Sequence, residues 1–194
     1  MKIDIFNTDK KYKIVYADPP WSYADSGCNG ACEKHYSTMG ANDIAALPVK
    51  NISADDAVLF LWATYPKIEE ALQLIKAWGF KYKSIAFQWV KLNRSIQINN
   101  LQITTIQEIF KKSCFFGLGR WTRGNSECCL IAVKGKPHRI SASVGQLIFA
   151  PLTRHSAKPP ETRDKIVELM GGGARIELFA RGTAEGWDCW GNEI

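Results

Sequence analysis

The chain has 194 residues, 46% of them hydrophobic and 23% charged, enough for one domain with a sizeable core and too few to assume two. No apolar run approaches the roughly 20 residues of a membrane span. The opening MKIDIFNTDKK lacks the apolar core and cleavage site of a secretory signal, so a cytoplasmic protein without a membrane partner is expected. The net charge of +6 is unevenly spread. Between Lys91 and Arg154 the only acids are Glu108 and Glu127, against Lys91, Arg94, Lys111, Lys112, Arg120, Arg123, Lys134, Lys136, Arg139 and Arg154. Basic residues interleaved with Phe115, Phe116 and Trp121 suit a polyanion that carries stackable bases.

In chain order, the first strand-like run is YKIVYA, Tyr12–Ala17, which stops at Asp18-Pro19-Pro20-Trp21. CNGACEKH follows. Its Cys28, Cys32 and His35 have no second ligand pair at metal spacing, so a plain loop and no metal are expected. All six cysteines should be reduced thiols, with Cys128 and Cys129 packing as small hydrophobes. AVLFLWA (57–63) is a buried strand. PKIEEALQLIKAWGF opens a helix at Pro66, turns Ile68, Leu72 and Ile75 inward and stops at Gly79.

SIAFQWV (84–90), CCLIAV (128–133), QLIFA (146–150) and ARIELFA (174–180) read as further strands. PPETRDKIVELMGGG reads as a helix with Ile166, Leu169 and Met170 inward, stopped by Gly171, Gly172 and Gly173. Most of the strand runs are continuously apolar rather than alternating, as in strands covered on both faces. Alternation of strands with helices predicts an α/β sheet with parallel strands in a single domain, 1–194. Residues 92–113 fit no single period. A short helix over 104–112 is expected there, followed by a mobile loop rich in glycine and arginine, so that 92–126 is the expected target-recognition region.

In α/β sheets ligands bind beyond the carboxyl ends of the strands, and Asp18 sits at such an end. Pro19 and Pro20 fix their own φ, and Pro20 holds Pro19 extended. The turn therefore presents a carboxylate and a backbone carbonyl at a set separation, with the flat Trp21 beside them. The complementary ligand is a planar ring bearing an –NH2 group. If Asp18 accepts one amine proton and the Pro19 carbonyl the other, the nitrogen lone pair points away from both, toward an electrophile. Stacking on Trp21 is worth roughly 1–3 kcal/mol for contacts of this kind.

The motif has company. DPPW is followed in order by HYSTM (35–39), AVLFLWAT, WGF, WVK (89–91), GRWTRGNSECCL, HSAKP (155–159), RIELFAR (175–181) and GWDCWGNE (186–193). In these blocks, over nearly the whole chain, the sequence resembles the DPPW-type, MT-A70-like, S-adenosylmethionine-dependent N(6)-adenine methyltransferases of bacteria and phages. The resemblance implies a circularly permuted Rossmann-like α/β sheet, with the catalytic motif ahead of the cofactor motifs, and S-adenosyl-L-methionine as cofactor.

It further implies that Asp18, Pro19, Pro20 and Trp21 hold the target amine and that Asp18 also approaches the cofactor. Tyr36 matches a residue near the substrate adenine, and Lys91, Arg120, Trp121, Arg123 and Glu127 fall in the segments expected to meet substrate. Ser156 and Lys158 match cofactor contacts, the lysine facing the methionine carboxylate. Glu177 and Arg181 match polar contacts around the cofactor, and Asn192 and Glu193 the pair that reaches its ribose and adenine. The sequence departs from the family after Arg181, where Thr183-Ala184 replace a His-Asn pair that contacts the ribose.

Methylation of adenine in nucleic acid is the leading expectation, with DNA favoured over RNA as partner. RNA adenine methylation and a catalytically silent nucleic-acid-binding subunit are the alternatives; silent members tend to lack the first acid of the tetrapeptide, which is present here as Asp18. Transfer to cytosine fits less well, since related enzymes begin that motif with serine and end it with tyrosine. The sequence does not decide whether the chain forms a homodimer.

Overall fold

A computed structural model of the chain describes residues 1–22, 39–94, 113–117, 121–153 and 157–194. The apolar run Tyr12–Ala17 forms β1, with every side chain but that of Lys13 buried. After it come α1 (Ala41–Ala45), α2 (Val49–Ile52), β2 (Ser53–Ala63), α3 (Ile68–Ala77), β3 (Lys81–Leu92), β4 (Ser126–Lys134), β5 (Leu147–Pro151), α4 (Glu161–Met170), β6 (Arg175–Leu178) and β7 (Asp188–Trp190). The strands join into one seven-stranded sheet in the order β5-β3-β4-β2-β1-β6-β7. It is a mixed α/β, Rossmann-like sheet.

The sheet is not wholly parallel, which corrects the expectation from alternation. β4 runs antiparallel to both of its neighbours, β2 and β3, while the other pairings are parallel. The cause is local: β3 ends and β4 begins at the same end of the sheet, so the chain returns without crossing over. As a result Glu127, near the start of β4, lies at the edge where β1, β2, β3, β5, β6 and β7 end.

Both faces are covered. On one, Val15, Leu59, Leu61 and Leu130 pack under α1 and α3. On the other, Ile14, Tyr16, Phe60, Trp62, Trp89 and Trp187 pack around Ile166 of α4. The inward face of α3 is Ala71, Leu74 and Ile75, with Trp78 just past its end; Ile68 and Leu72 only flank it. Leu74 and Trp78 lie one and two turns along from Ala71, and Trp78 anchors there by donating Nε1–H to the Ile44 carbonyl at 3.1 Å. Gly79, with φ of 81°, ends the helix as expected, and the Phe80 N–H returns to the Ile75 carbonyl at 2.9 Å.

In α4 it is Thr162 and Ile166 that are buried, while Leu169 and Met170 are half-buried. Strand β7 was not expected: its three residues carry one inward apolar side chain, Cys189, too short a run for a period to show. No helix among the described residues is long and apolar enough to cross a membrane.

Candidate active site

The site begins where β1 runs out. Pro19 is buried and Asp18 half-buried. The Trp21 N–H donates to the Pro19 carbonyl at 2.9 Å, closing a three-residue turn, and the Met39 N–H donates to the Pro20 carbonyl at 3.1 Å. The Pro19 carbonyl thus keeps one lone pair for a ligand, not two. Trp21 is 6% exposed and donates its Nε1–H to the Trp62 carbonyl at 3.3 Å. Expected as a stacking surface, it is largely consumed by core packing, because burying an indole within the sheet layer recovers more apolar area than leaving it flat to solvent.

Facing Asp18 is Lys158, which precedes Pro159, Pro160 and α4. Its Nζ lies 2.8 Å from Asp18 Oδ1 and 2.9 Å from Oδ2. The same nitrogen is 3.3 Å from Glu127 Oε2, and Glu127 Oε1 is 2.5 Å from Lys91 Nζ. Beneath the two ammonium groups lie tryptophan rings, Trp62 at 5.7 Å from Lys158 and Trp89 at 5.2 Å from Lys91. The result is a row of alternating charges, Asp18–Lys158–Glu127–Lys91, with each side chain less than one-fifth exposed.

Burial pushes the Asp18 carboxyl up, against the pull of Lys158, with Glu127 adding to the rise and Arg181 opposing it. Burial works against the charged form of Glu127 too, but Lys158 and Lys91 outweigh it and hold that carboxyl low. For Lys158, burial is overcome by Asp18 and Glu127, so the ammonium stays protonated. The resemblance assigned Lys158 to a methionine carboxylate; in this structure it sits on Asp18 and Glu127.

Next to Asp18 opens a cavity of about 230 Å³ lined by Tyr16, Lys158, Arg163, Glu177, Phe179, Arg181 and Thr183 among others. Arg163 grips Glu177 with a two-pronged pair, Nε to Oε2 at 2.7 Å and Nη2 to Oε1 at 2.8 Å. Burial nevertheless keeps the Glu177 carboxyl above its ordinary range. Tyr16 accepts the Trp62 Nε1–H at 2.7 Å and lines the cavity floor.

Phe179 leaves β6 in the left-handed region, at φ of 59°. Its strained turn is clamped by the Ala180 N–H to Trp190 carbonyl bond at 2.9 Å and by Gly191, where a Cβ would fall 2.4 Å from the Ala180 carbonyl oxygen. Glu193, 46% exposed, reaches Arg181 at 3.7 Å. Asn192 beside it is exposed.

The cavity joins two carboxylates, the cations Lys158, Arg163 and Arg181, and a tyrosine hydroxyl. That donor set fits a zwitterionic amino acid that also carries a positive centre and hydroxyls, the chemistry of S-adenosylmethionine.

Tyr16, Arg163 and Phe179 were not singled out from sequence. Tyr16 carries a signal in hindsight, a hydroxyl-bearing residue two positions before Asp18 in the apolar run that begins at Ile14. Arg163 carries none, since its partner stands 14 residues away.

The basic and aromatic segment divides. Trp121 is fully exposed and Arg123 is exposed, whereas Lys91 and Glu127 are taken up with each other. The chain on either side of Trp121 is pinned, because the Gly117 N–H donates to the Gly124 carbonyl at 3.1 Å and the Lys91 N–H to the Asn125 carbonyl at 2.8 Å. Tyr36, Arg120, Ser156, the Cys28–Cys32–His35 group and the 104–112 helix lie outside the described residues.

The profile of the MT-A70 family matches residues 12–193. The chain belongs to the MT-A70 family. Among MT-A70 relatives and related enzymes, it is 33% identical to the type II methyltransferase M.MunI of Mycoplasma sp, over 95% of this chain and 78% of that protein. It is 29% identical to the N(6)-adenosine-methyltransferase MT-A70-like protein of Drosophila melanogaster and 28% identical to the human N(6)-adenosine-methyltransferase catalytic subunit METTL3, over 95% of this chain in each case. It spans only 27% and 28% of the lengths of those two proteins.

Proposed function

We propose that this MT-A70 chain transfers a methyl group from S-adenosyl-L-methionine to the exocyclic N6 amine of adenine in nucleic acid, with DNA favoured over RNA. The observation that carries the reading is the placement of Asp18, from the DPPW turn, in the wall of the same cavity as Lys158, Glu177 and Arg181. When bound, the cofactor supplies a methyl group on a sulfonium centre.

Everything else is the work of the chain's own residues. Asp18 accepts one hydrogen of the amine and the remaining lone pair of the Pro19 carbonyl the other, which sharpens the nitrogen lone pair without prior deprotonation. Two carboxylates favour a positive centre nearby; the Arg163 fork keeps Glu177 aimed at the cavity; Arg181 and Lys158 favour the cofactor's carboxylate end. By resemblance, Ser156, Asn192 and Glu193 complete the cofactor contacts and Tyr36 the adenine contact.

Residues 92–126 serve target recognition, with Arg120 and Arg123 on phosphate and the exposed Trp121 on a base or on the gap it leaves. In a duplex the adenine has to leave the stack to reach Asp18. The permuted motif order follows from the same reading: the Asp18 turn comes first in the chain, while β6 and β7, beside it in the sheet, come last. The preference for DNA rests on the similarity to the type II methyltransferase, matched over most of its length.

Incubation with isotope-labelled S-adenosylmethionine and matched DNA and RNA oligonucleotides, followed by nucleoside mass spectrometry, tests this directly. Label in N6-methyldeoxyadenosine is expected. Label in RNA alone would move the acceptor, and label in cytosine would remove the reading.

A further inference from the structure

Asp18 already has an occupant. Both of its carboxylate oxygens lie within 3 Å of the Lys158 ammonium, at 2.8 and 2.9 Å, so an incoming amine competes with a full positive charge for the same lone pairs. A second acceptor stands ready beside it. Glu127 Oε2 is buried and 3.3 Å from that ammonium, a longer contact than either to Asp18, and it has no other hydrogen-bond partner. Its twin Oε1 is committed to Lys91 at 2.5 Å. A buried carboxylate oxygen whose one contact is a long ion pair has capacity for a closer one, since such groups are nearly always fully satisfied.

We propose that Glu127 is a positioning residue whose Oε2 takes over the Lys158 ammonium when the target amine takes Asp18. The inference rests on the methyl-transfer reading above. No proton changes hands in the exchange; one set of N–H donors leaves Asp18 and another replaces it. A lysine suits this because its ammonium is a point charge with three rotatable donors, whereas an arginine fork holds one geometry. The Trp62 ring under Lys158, 5.7 Å away, faces the ammonium whichever carboxylate it serves. Glu127 itself is kept still: Lys91 holds its other oxygen, and the Lys91 backbone is tied to Asn125 and Phe115 by hydrogen bonds of 2.8 Å each. The role differs from the direct substrate contact that the sequence assigned to Glu127 and Lys91.

The charged and titratable groups around Asp18 are the cations Lys158 and Arg181, the carboxylates Glu127 and Glu177, and the neutral Tyr16 and Cys129. Replacing Glu127 with glutamine removes a like charge near Asp18 and the carboxylate that would receive the Lys158 ammonium. Asp18 should then titrate at lower pH, while a packing role for Glu127 leaves kcat where it was.

The test pairs two readouts on the full chain: carboxyl-carbon NMR of Asp18 without any ligand, and steady-state kinetics on an adenine-bearing oligonucleotide. For Glu127→Gln the Asp18 midpoint moves down and kcat falls by roughly ten-fold or more, the scale of one charge-assisted hydrogen bond. The nucleic-acid KM should stay within about two-fold, below the change that losing a direct contact brings. Glu127→Asp, which keeps the charge, restores the midpoint and part of kcat. An unmoved Asp18 midpoint, or a loss confined to the nucleic-acid KM, overturns the exchange. If the parent chain transfers no methyl group, the functional reading fails by itself, and the Asp18 midpoint in the free chain decides whether the three side chains are coupled as proposed.

Discussion

The cavity holds two carboxylates, Glu177 buried and Asp18 half-buried, with different kinds of partner. Glu177 is held by Arg163 through two parallel hydrogen bonds of 2.7 and 2.8 Å, from a helix that packs against its own strand layer. Asp18 is held by a single ammonium that a second carboxylate also contacts. A guanidinium fork fixes direction, while an ammonium fixes only charge. Glu177 is accordingly part of a rigid wall, and Asp18 is the group whose partner can be exchanged. Burial raises both carboxyls, so each is easier to protonate than an exposed acid. Only at Asp18 does the charged form have a task that depends on giving up its present partner.

Removing the exchangeable carboxylate should cost most. Asp18→Asn is expected to lower the methyl-transfer rate by about a hundred-fold or more, the usual scale for one positioned group. Cofactor binding, followed by calorimetry, should weaken far less. Equal loss of both would erase the distinction between the two carboxylates.

Breaking the rigid pair should act on stability first. Arg163→Met leaves Glu177 buried without its fork, at a cost of about 1–3 kcal/mol, read from urea unfolding. An unchanged midpoint and slope would mean that the fork is not structural.

The pH dependence separates catalysis from stability. Asp18 must be ionised to accept from an amine, so kcat should fall as pH drops through its raised pKa, at higher pH than for an exposed aspartate. Stability runs the other way. A carboxyl raised in the folded state binds its proton more tightly there than in the unfolded chain, so its contribution falls as pH rises from the unfolded through the folded pKa. Asp18→Asn should flatten that slope in unfolding measurements across the acid range, and an unaltered slope would assign it elsewhere.

The smallest effect is expected from the basic segment that precedes β4 in the chain. Neutralising Arg120 and Arg123 should weaken binding across sequences and reduce the salt dependence by roughly one counterion per lost phosphate contact. A loss limited to particular sequences would instead make these arginines base readers.

Much of the frame was legible. The run Tyr12–Ala17 is β1 to the residue, since its apolar stretch is bounded by a charged start and two prolines. The stop at Gly79 follows from its left-handed φ. The direction of β4 was not legible, because it depends on which end of the sheet the preceding segment returns to and not on anything in CCLIAV. β7 was too short to show a period. At the site, Asp18 announced itself through the prolines that follow it, whereas its pairing with Lys158 spans 140 residues and leaves no local trace. The burial of Trp21 was not legible for a physical reason: an indole beside a carboxylate serves equally as a stacking surface or as a core side chain, and only the surrounding layer decides.

A crystal structure of the chain with S-adenosylhomocysteine and an adenine-bearing oligonucleotide tests the contrast between the two carboxylates most directly. The adenine amine is expected at Asp18, with the Lys158 ammonium hydrogen-bonded to Glu127 and the Arg163–Glu177 fork unchanged. An adenine bound away from Asp18, or Lys158 still astride Asp18 with the amine in place, would contradict it.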